Sequence, residues 1–534
     1  MGQRDVYFEA NVPIKNFVDA TYLTLRNSGK FPLSRLEDSY LAMEPCIHAA
    51  CKKNEVDYTV LGYVTPRLPE CIVDIRDVYL GQSMSIFQES GLDVENWHDI
   101  YALARRRRYL YDGSHRLVAF LSSKSDIDDV IPTLLAFQIE WNKIHDILEE
   151  KGSLDDKGLR LFKGIFKEKS DEVLEKIKSR ICSISLVNCE SSYSRYKQET
   201  ENWWRNLSSV FPALESKTVY FVSSNTHSLI NLLSGFAESI EDELIAYGER
   251  TNQKNLIGVY KEEKGIGRNY ILYYLLKSYE NDDRSVYERR IKWEEEIGIL
   301  RHYNRDSLDI STQIIDLSNL KNNPLAKKAG FKIPDSMPED SVIVNIDYPL
   351  GRTAYFVLSK LSEHLRKIAG IYVIGKAASL IGDRGDIIIP ETVYDQQTRT
   401  RYHVDNVFDA SSLDLCFSPK ANHGIYDRQK AVTVLGTFIQ NKKMLDSFRD
   451  AKIMDIEMEA GPYLSAYYEM TNPNRYPEDS SVVFAHENVE FGIIHYVSDN
   501  PNGRKKLDQS LAFDGIDATY AATTAVLRRI TKGV

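Results

Sequence analysis

The chain has 534 residues, long enough for two to four domains with sizeable cores. A formal net charge of -10 excludes a generally basic nucleic-acid binder, because phosphate contacts need a cationic face. No apolar run is long enough to span a membrane, Met1 to Asp5 does not begin a signal-peptide core, and Cys46, Cys51, Cys71, Cys182, Cys189 and Cys416 form no disulfide framework, so a cytoplasmic protein is expected.

Residues 1–205 read as a helix-rich domain. Cys46-Ile47-His48-Ala49-Ala50-Cys51 offers three potential metal ligands, but no second cluster follows, so these are read as helix residues without a metal. Arg105 to Arg108 reads as a solvated helix end, with a phosphate or acidic partner as the alternative. Arg116 to Leu121 is apolar enough for a short buried strand. From Ser125 to Lys151, Ile127, Ile131, Leu134, Leu135, Ile144 and Leu148 recur at helical spacing, with Ser125 and Asp128 as a capping box and Gly152 as the stop. A charged helix is expected over Lys167 to Arg180.

Residues 206–335 read as an α/β intermediate region and connector. Val219 to Val222 is a strand, Ser223 to His227 a polar turn, and an apolar helix follows to about Tyr247. Residues 281–296 are charge-dense and read as a solvated helix, and Asn322 to Asp340 as a connector.

Residues 336–534 alternate regularly. Strands are expected at Val342–Ile346, Ile371–Ile374, Asp386–Ile389 (ending at Pro390), Val432–Leu435, Ile453–Ile456 and Phe491–Val497. A helix over Thr353 to Ile368 is expected to stop at Gly370. This alternation predicts a mostly parallel twisted sheet flanked by helices.

Three segments of this region carry candidate chemistry, and each falls where a strand is expected to end. They are Gly375-Lys376-Ala377-Ala378-Ser379, Glu457-Met458-Glu459-Ala460 and Val497-Ser498-Asp499-Asn500-Pro501. Ligands of open parallel sheets bind beyond the carboxyl ends of strands, so the three are expected to meet at one pocket. Asp347-Tyr348-Pro349-Leu350-Gly351-Arg352 is a turn before a helix that suits an anion, with Arg352 as its partner or as a plain loop arginine.

These segments resemble the nucleoside phosphorylase/nucleosidase superfamily over about the last third of the chain. Glu457-Met458-Glu459 looks like that superfamily's ribose-binding motif and Ser498-Asp499 like its purine-binding acid motif. The Gly375 segment with Gly385-Asp386-Ile387-Ile388-Ile389-Pro390 looks like its central loop and next strand. Val497 to Pro501, with Lys505, Lys506 and Leu507 beyond, is most similar to AMP nucleosidases. The resemblance implies a purine nucleoside or nucleotide as ligand, no metal or organic cofactor, and a homo-oligomer.

Within that resemblance, cleaving the base–ribose bond passes through an oxocarbenium-like sugar. Asp499 would protonate the departing purine. Glu459 and Glu457 would hold the ribose, Met458 would pack beneath it, and Ser498, Gly375 and Lys376 would complete the binding surface. Where bacterial phosphorolytic members carry a phosphate-binding arginine, this chain has Val373, which favours hydrolysis over phosphorolysis. Lys376 stands where the family has a small or polar residue. It either contacts a nucleotide phosphate or fills the pocket, which would make the protein a catalytically inactive nucleotide sensor. Leu435-Gly436-Thr437-Phe438-Ile439 is a weak match to a further family segment, and no motif locates a water-activating carboxylate.

Overall fold

A computed structural model describes residues 3–189, 192–263, 266–303, 308–322, 333–413, 423–485, 487–499 and 516–531. Most of the Asn322–Asp340 connector, Cys416, Asn500, Pro501 and Lys505 to Leu507 lie outside the described residues. Among the described residues, seventeen strands form two sheets.

The first sheet contains β1 (Lys30–Pro32), β2 (Asp77–Gly81), β3 (His98–Ala102), β4 (Arg105–Tyr111), β5 (Arg116–Phe120) and β6 (Ser185–Asn188), in the order β1-β6-β2-β5-β4-β3. The arginine run is therefore a strand, not the solvated helix end expected. Arg105, Arg107 and Arg108 are buried. Arg105 bonds Phe120 O at 3.0 Å and Asp126 Oδ1 at 3.4 Å, and Arg108 bonds Asp99 Oδ1 at 3.0 Å. Burial is tolerated because each charge finds acceptors supplied by other segments.

The long helix Lys124–Lys151 forms as its apolar periodicity requires, and Gly152 ends it in the left-handed conformation. Its capping box is Ser123 with Asp126 rather than Ser125 with Asp128. The same three-residue spacing occurs one pair upstream, and that frees the Ser125 hydroxyl for another partner.

The second sheet runs through β7 (Thr218–Ser224), β8 (Ile299–His302), β9 (Thr312–Asp316), β10 (Ser341–Asp347), β11 (Lys367–Ser379), β12 (Ile387–Asp395), β13 (Thr400–His403), β14 (Ile425–Thr433), β15 (Asp455–Glu457), β16 (Ser481–Val483) and β17 (Glu490–Asp499). It is mixed rather than mostly parallel. β7, β10, β11 and β17 pair in parallel, but β9 and β8 add antiparallel at one side, and β15 and β17 pair antiparallel with β11 and β12 respectively. The pairings β12-β14-β15-β11-β17-β12 close a five-strand ring. From this ring the wing β7-β10-β9-β8 extends, so residues 218–316 supply strands to the same sheet as residues 341–499.

Several expected boundaries shift for identifiable reasons. The helix after β10 is Thr353–His364 and does not reach Ile368. Arg366 N bonds Glu215 O at 3.0 Å and Lys367 pairs with Thr218, so pairing with a distant strand ends the helix before Gly370. β11 continues through Gly375 to Ser379, which are strand rather than loop, because β17 and β15 pair along its second half. β12 passes through Pro390, where its register against β14 shifts on both sides, the kind of irregularity at which a strand tolerates proline. The apolar stretch to Tyr247 is broken by Gly235, at φ +63°, into Ser228–Ser234, Phe236–Ser239 and Glu241–Arg250. No helix among the described residues is long and apolar enough to cross a membrane.

Candidate functional site

At one end of the ring lies a cavity of about 230 Å³. That is at or below the small end of ligand clefts, which run to roughly 300–1,000 Å³. Lys376, Ala377 and Ala378 of β11 form one wall, and Glu457, Met458 and Glu459 form another where β15 turns into the helix Ala460–Thr471. Ser498 and Asp499 stand at the end of β17. The register between β11 and β17 shifts after Ala377, so Asp499 rather than Ser498 falls opposite Ala378. A bulge of this kind re-aims side chains at a strand end.

Six of the eight sequence-derived candidates thus share one cavity. Gly375 does not line it. A Cβ there would lie 2.8 Å from His495 Cδ2, so the glycine is the space that lets the His495 ring pack beneath the site. Arg352 faces a different cavity, where it bonds Gln397 Oε1 at 3.2 Å and the Tyr476 hydroxyl. Its neighbour Gly351 makes the connection to the site, donating its N–H to Glu459 Oε1 at 2.9 Å. Val373 is buried in the apolar core. The weak match at 435–439 falls on the cavity wall, which Val434, Thr437 and Gln440 help to build.

The carboxylates differ in how they are held. Glu457 caps the following helix: one oxygen accepts from Glu459 N and Ala460 N, each at 2.6 Å, and the other from the Thr433 hydroxyl. Thr433 in turn accepts from Gly461 N at 2.8 Å. Burial pushes Glu457 up to about 8, against the pull of His495. Glu459 is half-buried at the cavity, and burial pushes it up to about 7, opposed first by the Gly351 N–H. Ser498 Oγ donates to Asp499 Oδ2 at 2.8 Å, with Ala377 O 3.3 Å away.

Behind these acids lies a pair that sequence reasoning missed. His495 Nδ1 is 2.7 Å from Asp455 Oδ2, and both side chains are buried. Burial disfavours the His495 cation, but Asp455, Glu457 and Glu459 outweigh it and hold the ring protonated up to about 9. One cation thus faces three carboxyls in a dry pocket, an arrangement that keeps at least one proton among Glu457 and Glu459 near neutral pH. A signal was present. Asp455 and His495 are polar residues inside short apolar strands, and a charge buried there needs a partner.

The remaining wall comes from the N-terminal part of the chain: Cys46, Ile47, Tyr63 and Arg67. The Cys46–His48 turn is anchored by a buried network. Tyr40 Oη lies 2.9 Å from His48 Nδ1, His48 Nε2 lies 2.7 Å from Glu140 Oε1, and Lys143 Nζ bonds the same oxygen at 2.6 Å. The His48 ring is therefore a strut between helices and not a metal ligand. Arg67 lies over the Tyr63 ring, 3.4 Å from its centroid, and bonds Tyr63 O at 2.8 Å. No motif announces these residues, because they approach from more than 300 positions away in the chain.

Fold and cavity together define a mixed α/β protein with a small acid-lined cavity at one end of the strand ring. The chain belongs to the family of unknown function DUF6909, whose model matches residues 33–160 and 153–532. No curated protein matches the sequence. Among solved structures, it is similar to a putative methylthioadenosine nucleosidase from Weissella paramesenteroides, at 13% identity over 46% of this chain and 94% of that one, with a TM-score of 0.30. A 5'-methylthioadenosine/S-adenosylhomocysteine nucleosidase from Campylobacter jejuni shares 10% identity over 59% of this chain and 99% of that one, with a TM-score of 0.33. A nucleosidase of the same name from Colwellia psychrerythraea, in complex with adenine, shares 10% identity over 45% and 90%, with a TM-score of 0.27.

Proposed function

We propose that the cavity binds a purine nucleoside or nucleotide and hydrolyses its base–ribose bond, in the manner of an AMP nucleosidase. The observation that carries this reading is the convergence of Asp499 and the Glu457–Glu459 turn on one small cavity across Lys376–Ala378. Asp499, at the open end of β17, donates the proton that the departing purine needs. Glu459, with one oxygen anchored by Gly351, offers the other to the ribose hydroxyls and steadies the positive charge that grows on the sugar. Glu457 is committed to capping the helix and fixes the turn that aims Glu459. Met458 packs against the sugar, while Ser498 orients the Asp499 carboxyl. Val373 supplies no phosphate ligand, which favours water over phosphate as the acceptor. The assembly belongs to this reading as a cytoplasmic homo-oligomer, with residues 1–205 completing the cavity wall.

The test is incubation with AMP, ATP, adenosine, inosine and methylthioadenosine, with and without inorganic phosphate, followed by chromatography for free base. Base released without phosphate is expected. Release that depends strictly on phosphate selects a phosphorylase. The side chain of Lys376 has no ion-pair partner among the described residues and lies at the cavity, which favours one second reading, a nucleotide sensor. Tight binding without turnover, unchanged by Asp499→Asn, would select it.

A further inference from the structure

Behind the turn that carries Gly351 lies a second cavity, of about 1,050 Å³. Two backbone segments wall both cavities. Gly351 is bonded to Glu459 of the first, while Arg352 lines the second; Val434 and Thr437 face the first, while Leu435 faces the second. The turn is clamped from the other side, where Arg352 N donates to Ser125 Oγ at 2.9 Å and the Ser122 and Thr353 hydroxyls meet at 2.9 Å.

The chemistry of this cavity is specific. Arg352 is half-buried, yet its hydrogen-bond partners are neutral: Gln397 and the Tyr476 hydroxyl, with the Tyr355 and Tyr476 rings 5.0 and 5.2 Å from its guanidinium carbon. No carboxylate among the described residues forms an ion pair with it. Lys124 also lines the cavity without an ion pair, its ammonium 4.7 Å from the Tyr22 ring centroid. The buried Asp395 attracts the Arg352 guanidinium without forming an ion pair, and Asp19 and Glu478 also line the cavity. A half-buried guanidinium bonded only to neutral groups keeps the capacity for a charge-assisted contact to an anion. Beside Arg352 stands an aromatic wall, Tyr193 with Phe356 at 5.3 Å between centroids. Tyr193 is 45% exposed, a large ring left open to the cavity. Such a wall gives an aromatic ring of a ligand a surface on which to stack.

We propose that this second cavity is a binding site, separate from the first, for a ligand that joins a planar aromatic ring to an anionic group of the phosphate type. The ring stacks on Tyr193 and Phe356, and the anion reaches Arg352 and Lys124. Arg352 is held by Gln397 and Tyr476 and Lys124 lies against the Tyr22 ring, so the site reads charge and planarity together. It does not rest on the bond-cleaving reading, because binding is measured without turnover.

The probe is trinitrophenyl-ATP, a fluorescent aromatic phosphate whose substituted ribose is too bulky for a cavity of about 230 Å³. Saturable one-to-one binding to the full chain is expected. Arg352→Gln and Lys124→Met should each raise Kd about tenfold or more, consistent with loss of one charge-assisted contact. Tyr193→Ala should raise it several-fold, whereas Lys376→Met and Asp499→Asn should leave it within twofold. Lys124 and Tyr193 lie at the rim, so their variants report even where Arg352→Gln does not fold. The proposal is overturned if the wild-type chain shows no saturable binding, if Lys124→Met and Tyr193→Ala bind as wild type, or if Lys376→Met or Asp499→Asn abolishes binding instead.

Discussion

Replacing Glu459 by glutamine should stabilise the protein at alkaline pH while abolishing the proposed base release. Burial raises the Glu459 carboxyl from 4.5 to about 7. The folded chain therefore holds a proton there that the unfolded chain has released. The stability contributed by that proton is fully present below 4.5 and is lost as pH rises through 7. Ionising the group at about 7 rather than 4.5 costs roughly 3 kcal/mol. Coupling to Glu457 and His495 shares that cost, so about 2 kcal/mol is the expected gain on substitution. Glutamine keeps the oxygen that accepts from Gly351 N–H and carries no charge at any pH. Thermal midpoints of wild type and E459Q, followed from pH 5 to pH 9, should coincide at the acid end. At pH 8.5 E459Q should lead by a few degrees. Base release should fall about a hundredfold or more in the same variant, since an amide cannot stabilise the sugar cation as a carboxylate does. A gap that does not change with pH, or a variant less stable than wild type at pH 8.5, would refute the reasoning.

Asp499→Asn should lower base release by about 10²–10⁴-fold with the melting midpoint unchanged, because among the described residues its carboxylate is bonded only by Ser498; near-wild-type release would remove Asp499 as the acid. Gly351→Ala places a Cβ against the Ser125 hydroxyl and 2.7 Å from Ser125 Cβ, at φ +51°, and should cost about 2–3 kcal/mol in a urea titration. His48→Ala removes the strut between Tyr40 and Glu140 and leaves a buried carboxylate held by Lys143 and the Asp57 N–H. The cost should be about 3 kcal/mol, and KM should rise as the Cys46–Ile47 wall loosens; unchanged stability would show that these two remaining partners suffice.

Local patterns in the sequence predict local structure well. The apolar spacing from Ile127 to Leu148 produces the helix Lys124–Lys151, and Val219–Val222 and Val342–Ile346 are strands within β7 and β10. The motif order around Lys376, Glu457–Glu459 and Ser498–Asp499 also anticipates one shared cavity. What escapes sequence reading is set by partners far along the chain. The arginines of β4 look like a solvated charge run because Asp99, Asp126 and Asp309 are not adjacent to them. The end of the helix at His364 and the length of β11 depend on β7, β15 and β17. Gly375 and Arg352 sit beside the right motifs, but strand alternation turns one beneath His495, and the turn directs the other into a neighbouring cavity. The N-terminal wall has no local signature at all, since Cys46 and Arg67 acquire meaning only once folding brings them across the ring.

The position of β7 has a consequence for how this protein can be cut apart. Its seven residues are threaded between β10 and β11, although a hundred and more positions separate them from either neighbour. A fragment beginning near residue 336 would keep β10 and β11 but lose the strand that joins them. β9 would be lost as well, so β10 would be bare on both edges and β11 on one, and the facing edges of these Ile- and Val-rich strands would leave an empty lane about one strand wide. Such a fragment would be a seed for intermolecular strand addition, and a peptide spanning residues 218–224 would be its natural plug.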